Sequence, residues 1–156
     1  MIPKRAVYAG SFDPFTIGHY SIVEKSLLLF DEVVIAIGVN INKKEFMSIE
    51  DRVASIKELF ASESRVKVTA YDSLTTTFCR DNNIRFIVRG VRDIDDYIYE
   101  HRIASVNKTL DNSIETVLLF SKQEYDDISS STVREIFAHK GDITKFIPAT
   151  ILKYLK

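Results

Sequence analysis

The chain has 156 residues, a formal net charge of −1 at pH 7, 46% hydrophobic and 28% charged residues. These are globular values, and they exclude a disordered tail, a collagen and a coiled coil; a domain of this length buries roughly two thirds of the surface its unfolded chain exposes. Near-neutral charge argues against nucleic acid as the main partner, the single cysteine, Cys79, excludes an internal disulfide and fits a reducing cytoplasm, and no apolar run approaches the ~20 residues of a membrane span.

The opening residues MIPKRAVYAG place two basic residues before an apolar run too short for a signal segment, so no targeting segment is expected. Short, β-branched runs predict strands at Arg5–Ala9, Glu32–Val39, Arg65–Ala70, Arg85–Val88 and Glu115–Phe120. Helical spacing occupies Tyr20–Phe30, Ile49–Ala61, Leu74–Asn82 and Tyr97–Leu110, then Thr132–His139 and Pro148–Leu155. Ser48 with Asp51 suggests a capping box, Gly141 after Lys140 a helix stop, and Pro148 a first helical turn. The alternation predicts a doubly wound, Rossmann-like α/β fold with a five-stranded parallel sheet, in a single domain over residues 1–156.

In such sheets ligands bind beyond the carboxyl ends of the strands, which directs attention to Gly10–His19, Asn40–Met47, Tyr71–Thr75, Gly90–Asp96 and Ser121–Ser131. The first of these belongs to the stretch YAGSFDPFTIGH, which lacks both a GxGxxG and a GxxxxGK[ST] pattern. Gly10 and Ser11 let a phosphate approach the backbone, and Gly18 and His19 open a helix whose positive end attracts an anion. An imidazole there donates a hydrogen bond that strengthens as charge builds on a transferring phosphoryl group; the bland alternative is a capping or partly buried structural histidine. The run Ser129-Ser130-Ser131-Thr132 looks like a second anion-holding helix start, or an over-endowed cap in which Thr132 and Glu135 form a capping box.

Other residues carry similar alternatives. Lys43 and Lys44 are either phosphate ligands or a solvated charge pair, and Arg89 and Arg92 either bind phosphate or pair with Asp93, Asp95 or Asp96. Cys79, on an apolar helical pattern, reads as core, and His101 and His139 read as structural.

The strings Thr16-Ile17-Gly18-His19 and Ile128-Ser129-Ser130-Ser131 resemble the T-x-G-H and I-S-S-S motifs of the nucleotidyltransferase superfamily. Gly10–Pro14, Lys43-Lys44, Val88–Arg92, Tyr99-Glu100 and Ile128–Arg134 together resemble the bacterial phosphopantetheine adenylyltransferase family over nearly the full length. That resemblance implies adenylyl transfer from ATP to 4′-phosphopantetheine, giving dephospho-coenzyme A and pyrophosphate in coenzyme A biosynthesis. It implies His19 as the catalytic group and Ser11, Lys43, Thr75 and Arg89 as acceptor ligands. It implies ATP contacts from Ser11, Phe12, His19, Gly90, Val91, Arg92 and Glu100, and from the segment Tyr125, Asp126, Asp127, Ile128, Ser129, Ser130 and Ser131. Magnesium bridging the phosphates with few protein ligands, a homohexamer and a cytoplasmic setting are implied as well. The chain departs from the family pattern at Ala9 and Glu45, each in place of a common proline, at Ser11 for threonine, and at Thr75 for an aliphatic residue near the pantetheine arm. Two other readings stay open: a nucleotidyltransferase with a different phosphorylated acceptor, such as nicotinate mononucleotide, and a nucleotide-binding regulatory module.

Overall fold

A computed structural model describes residues 2–40, 42 and 44–155, so Lys43 lies outside the described residues. Five strands, β1 (Arg5–Gly10), β2 (Glu32–Gly38), β3 (Val66–Tyr71), β4 (Phe86–Val91) and β5 (Glu115–Phe120), alternate with α1 (Ile17–Ser26), α2 (Ile49–Leu59), α3 (Thr75–Asp81) and α4 (Ile94–Leu110). A 3-10 turn (Gln123–Tyr125), α5 (Ser130–Ala138) and α6 (Ala149–Leu152) complete the order.

The sheet runs β3-β2-β1-β4-β5 with every neighbouring pair parallel. Strand order therefore reverses between β1 and β4. Those two strands pair only at Ala6–Phe86, Val7–Ile87 and Tyr8–Val88, yet β1 continues to Gly10 and β4 to Val91. Their carboxyl ends thus part company, and the gap is the place where such folds bind ligands. The central strands are β-branched and sealed: Val7, Val33, Ile35, Ala36 and Val88 expose nothing. On one face they meet Ile22, Val23, Ile56, Val133 and Ile151; on the other, a smaller cluster holds Val34, Cys79, Ile84 and Ile114. Each such buried aliphatic contributes about 1.5–3 kcal/mol. Cys79 is a core residue whose thiol is pushed up to about 12, first by burial and then by the Asp111 charge, so it holds no thiolate at neutral pH.

Helix starts differ from the sequence expectation wherever a polar side chain caps earlier than the apolar pattern begins. α1 starts at Ile17, three residues ahead of Tyr20, because Thr16 is its cap, and it stops at Ser26 rather than Phe30. α4 starts at Ile94 instead of Tyr97, since the Asp93 carboxylate accepts the Asp96 N–H at 2.8 Å. α5 starts at Ser130, with Ser129 rather than Thr132 supplying the cap. Ser48 does cap α2, accepting the Asp51 N–H at 3.1 Å. Pro148 sits at the cap of α6 and not in its first turn.

The end of α5 is a correction of a different sort. Lys140, not Gly141, takes the left-handed conformation, with φ 59°. Lys140 N–H reaches Phe137 C=O and Gly141 N–H reaches Ile136 C=O, the paired bonds of a Schellman ending. Gly141 is required for space: a Cβ there would stand 2.6 Å from Ile136 Cγ2 and 3.2 Å from its carbonyl oxygen.

Candidate active site

A crevice of about 410 Å³ opens where β1 and β4 diverge, walled by the turn after β1, the ends of β4, and the start of α5. Its floor is Gly10. The Phe12 ring packs directly beneath it, so that a Cβ on Gly10 would lie 3.0 Å from that ring. Phe12 itself is 3% exposed with φ 47°, a backbone strained for a non-glycine residue. Its side chain belongs to the core.

His19 both completes the capping box of α1 and lines the crevice. Thr16 Oγ1 accepts the His19 N–H at 3.2 Å, and the His19 Nδ1 accepts the Thr16 N–H at 2.9 Å, a reciprocal capping box in which a histidine replaces the usual glutamate. Accepting at Nδ1 fixes the tautomer: the ring proton sits on Nε2, on the opposite side of the imidazole. Phe12 and Phe15 hold the ring at centroid distances of 5.1 and 5.3 Å, with Tyr8 at 6.2 Å. Burial, then the Arg89 and Arg92 charges, push its pKa down to about 3. The imidazole is neutral at physiological pH and donates from Nε2 alone.

The second helix start is joined to the first turn. Ser130 Oγ donates to Pro14 C=O at 2.8 Å, and Arg134 Nη1 donates to Asp13 C=O, also at 2.8 Å. Ser129 Oγ accepts the Thr132 N–H at 3.1 Å, and Ser131 Oγ accepts from Arg134 Nη2 at 3.2 Å. The serine hydroxyls thus build the helix start, while the Ser130 and Ser131 N–H groups, which have no intrahelical acceptor, lie where an anion could be received. Two helix N-termini converge on one crevice.

The two arginines occupy β4 and its exit. Arg89 is spanned by Glu100, Nε to Oε2 at 2.9 Å and Nη2 to Oε1 at 2.7 Å, and Nη1 also donates to Ala9 C=O. Burial acts to lower the Arg89 pKa, but Glu100, helped by Tyr8 and Tyr99, outweighs it and keeps the guanidinium above its usual value. Arg92 pairs with Asp96, Nε to Oδ2 at 2.8 Å, and donates to Ile128 C=O at 3.2 Å. Its hydrogen bond to Asp96 raises the Arg92 pKa and lowers that of Asp96. Both arginines are therefore fixed in direction while still facing the crevice, and Asp96 is the partner among the three aspartates that sequence left open.

Of the sequence-derived site residues, Ser11, Phe12, His19, Arg89, Gly90, Arg92, Glu100, Tyr125, Ile128 and Ser129 to Ser131 line the crevice. Val91 is buried at the end of β4, Asp126 accepts from Ser121 Oγ, and Asp127 is exposed; none of these three lines it. Thr75 begins α3, beyond the β3 edge, where its hydroxyl bonds Tyr71 at 2.8 Å, also outside the crevice lining. Sequence reasoning passed over Tyr8 and Thr16 as a cap, and offered Asp96 only as one of three candidate partners for the arginines. Thr16 was legible, standing three residues before His19 in capping-box spacing. Tyr8 gave no signal apart from its place in the strand. Among the described residues no group of three or more His, Cys, Asp or Glu side chains clusters as a metal site, and no helix is long and apolar enough to cross a membrane.

A family model described as cytidylyltransferase-like matches residues 7–136. The chain is 51% identical over 145 residues to the phosphopantetheine adenylyltransferase of Phocaeicola vulgatus, covering 93% of this chain and 95% of the relative. It is 48% identical to that of Bacteroides fragilis, with 93% and 96% covered, and 39% identical to that of Vesicomyosocius okutanii, with 98% and 97% covered. A crystal structure provisionally assigned as a nicotinate-nucleotide adenylyltransferase from Vibrio parahaemolyticus superposes with a TM-score of 0.72 at 18% identity, over 99% of this chain and 92% of that one. At that identity the likeness is one of fold.

Proposed function

Because the chain belongs to the phosphopantetheine adenylyltransferases, within the cytidylyltransferase-like family, we propose that its crevice seats ATP and 4′-phosphopantetheine together and joins them. The enzyme transfers the adenylyl group of ATP to 4′-phosphopantetheine, giving dephospho-coenzyme A and pyrophosphate, a step of coenzyme A biosynthesis. A phosphate oxygen of the acceptor attacks the α-phosphorus of ATP. The bond from that phosphorus to the bridging oxygen breaks, and pyrophosphate leaves with the electron pair. No protein nucleophile takes part.

The observation that carries the residue assignment is the neutral, tautomer-fixed His19 between two helix N-termini. Its Nε2–H is the donor aimed at the transferring phosphoryl group, where the hydrogen bond strengthens as charge accumulates. The starts of α1 and α5, with Arg92, hold the triphosphate, and Ser11 and the Phe12 backbone sit beneath it. Arg89, oriented by Glu100, and Lys43 hold the acceptor phosphate; Thr75, on the β3 side, meets the distal arm. Asp96 and Glu100 are each spanned by a guanidinium, which leaves the phosphate oxygens as the fitting ligands for magnesium. The ion would supply charge neutralisation of the leaving pyrophosphate.

We also assign the enzyme to a homo-oligomer, a hexamer by family resemblance, in the cytoplasm. In its support, α4 runs 17 residues and buries only Glu100, while Ile94, Ile98, Val106 and Leu110 form an exposed ridge at intervals of about one or two turns. A second copy covering that ridge satisfies it.

Purified protein mixed with ATP, magnesium and 4′-phosphopantetheine is expected to yield dephospho-coenzyme A and pyrophosphate, and far less product with nicotinate mononucleotide. That acceptor's ring carboxylate needs a further cationic partner, and Arg89 and Arg92 are already engaged. Comparable turnover of both acceptors would remove the pantetheine assignment and leave the ATP chemistry standing.

A further inference from the structure

Arg52, in the first half of α2, is 3% exposed and belongs to no part of the site described so far. Its guanidinium reaches three segments: Nη1 donates to Ser11 C=O at 2.9 Å, Nη2 to Glu45 Oε1 at 2.6 Å, and Nε to Ser48 C=O at 3.4 Å. Beside it, Asp13, 5% exposed, uses both carboxylate oxygens on the same far segment, accepting Phe46 N–H at 2.8 Å and Met47 N–H at 2.7 Å. Arg52 Nε and Asp13 Oδ1 are 4.0 Å apart. The two Asp13 bonds join the turn after β1 directly to the segment after β2, and Arg52, from α2, ties the same two together through Ser11 C=O and Glu45.

A buried arginine fork with this reach is more than a filler of core volume. Lysine offers one point charge and could not hold Ser11 and Glu45 at once. Glu45 is the half-exposed end of the cluster, with 41% of its side chain accessible, and it can be altered without opening the core. We propose that Arg52 and Glu45, with Asp13, are positioning residues that hold segment 44–47 against the Ser11 turn, and thereby set the distance between the acceptor phosphate and the α-phosphorus of ATP. This rests on the adenylyl-transfer reading of the crevice.

The test is a Glu45→Gln variant, which keeps the shape and removes the charge, examined beside the wild type. Wild-type formation of dephospho-coenzyme A comes first; its absence would overturn the reaction and the positioning role together. With that in place, Glu45→Gln is expected to raise KM for 4′-phosphopantetheine about two- to fivefold, the span of a half-exposed ion pair, with equilibrium ATP binding within about twofold of wild type. Hydrogen exchange at the Phe46 and Met47 amides should quicken, while the melting temperature stays within about 2 °C. Glu45→Asp should recover part of the lost acceptor affinity. In an Arg52→Lys background the Glu45→Gln change should have little further effect, because the two act through one contact. An unchanged acceptor KM would overturn the proposal, as would a parallel weakening of ATP or a Glu45 effect that persists without Arg52. If Arg52→Lys does not fold, the split between acceptor KM and ATP binding in Glu45→Gln decides alone.

Discussion

His19 holds two hydrogen bonds with different purposes, and they can be separated by substitution. Nδ1 accepts the Thr16 N–H at 2.9 Å and closes the capping box; Nε2–H, on the opposite side of a ring that lines the crevice, is the donor assigned to the phosphoryl group. An asparagine side chain can place its oxygen near Nδ1 but presents nothing at Nε2, whereas a glutamine can place an N–H near Nε2 and leaves the cap open. Losing the cap alone costs about 0.5–2 kcal/mol of stability, which for this chain length is a drop in Tm of roughly 1–8 °C. Losing one donor aimed at a developing charge costs about 10²–10³ in the chemical step, or about 2.7–4 kcal/mol. His19→Asn is therefore expected to melt near the wild type and turn over slowly, His19→Gln to melt lower and retain more activity, and His19→Ala to lose both. ATP affinity should move little in all three, since under the proposed assignment two helix N-termini and Arg92 hold the ground state. Single-turnover rates, equilibrium ATP binding and thermal melts separate these outcomes. A fast His19→Asn enzyme would show that the imidazole is a cap and nothing more, and ATP affinity falling in step with rate would make it a ground-state ligand.

Four further outcomes rest on particular residues. Since the His19 pKa lies near 3 rather than 6.5, the rate should show no step from this group between pH 5 and 8. Over the same range the unfolded chain binds the proton that the folded one refuses, so this group's contribution to stability falls as pH drops from about 7 toward 3; urea midpoints should show a slope that His19→Asn reduces, and an equal slope in the variant would refute the assignment. Lys43→Ala should raise KM for the acceptor far more than for ATP, by roughly tenfold or above for a charge-assisted contact; steady-state kinetics with each substrate varied in turn would expose an indifferent lysine. Gly141→Ala should destabilise by about 1–3 kcal/mol, because its methyl meets Ile136 Cγ2 at 2.6 Å, whereas Lys140→Gly should stabilise by up to about 1 kcal/mol by relieving the left-handed backbone; denaturant midpoints moving in the same direction would contradict this account of the α5 ending.

The strands and their order of appearance were legible in the sequence because a strand buried on both faces must be apolar throughout, as Val33 to Ile37 are. Pairing order was not, since no local pattern records that β4 returns beside β1. Helix starts were misplaced where apolar periodicity was read ahead of caps: Thr16, Asp93 and Ser129 each begin a helix before its buried face does. At the site, the T-x-G-H string gave His19 but not its tautomer, which depends on a backbone N–H three residues away. The charge pairs were half legible. Arg92 with Asp96 is an i, i+4 neighbour visible in one dimension, while Arg89 with Glu100 spans 11 residues and depends on α4 lying back over β4. Arg52 was invisible for the same reason: in sequence it is one more charged residue on an amphipathic helix.

The bonds that tie the α5 start to the first turn cross almost the entire chain. Ser130 and Pro14 are 116 residues apart, Arg134 and Asp13 121. During synthesis the first turn exists for most of the time without its partner, and the proposed triphosphate cradle is incomplete until α5 has left the ribosome and docked. At about 5–20 residues per second that interval lasts several seconds or more, and the contacts that close the site are among those with the largest loop-closure cost. Nucleotide therefore cannot guide the early folding of this chain. It can only hold together what the sheet and its helices have already brought into place, so ATP should slow unfolding of the finished enzyme and leave the first phase of its folding untouched.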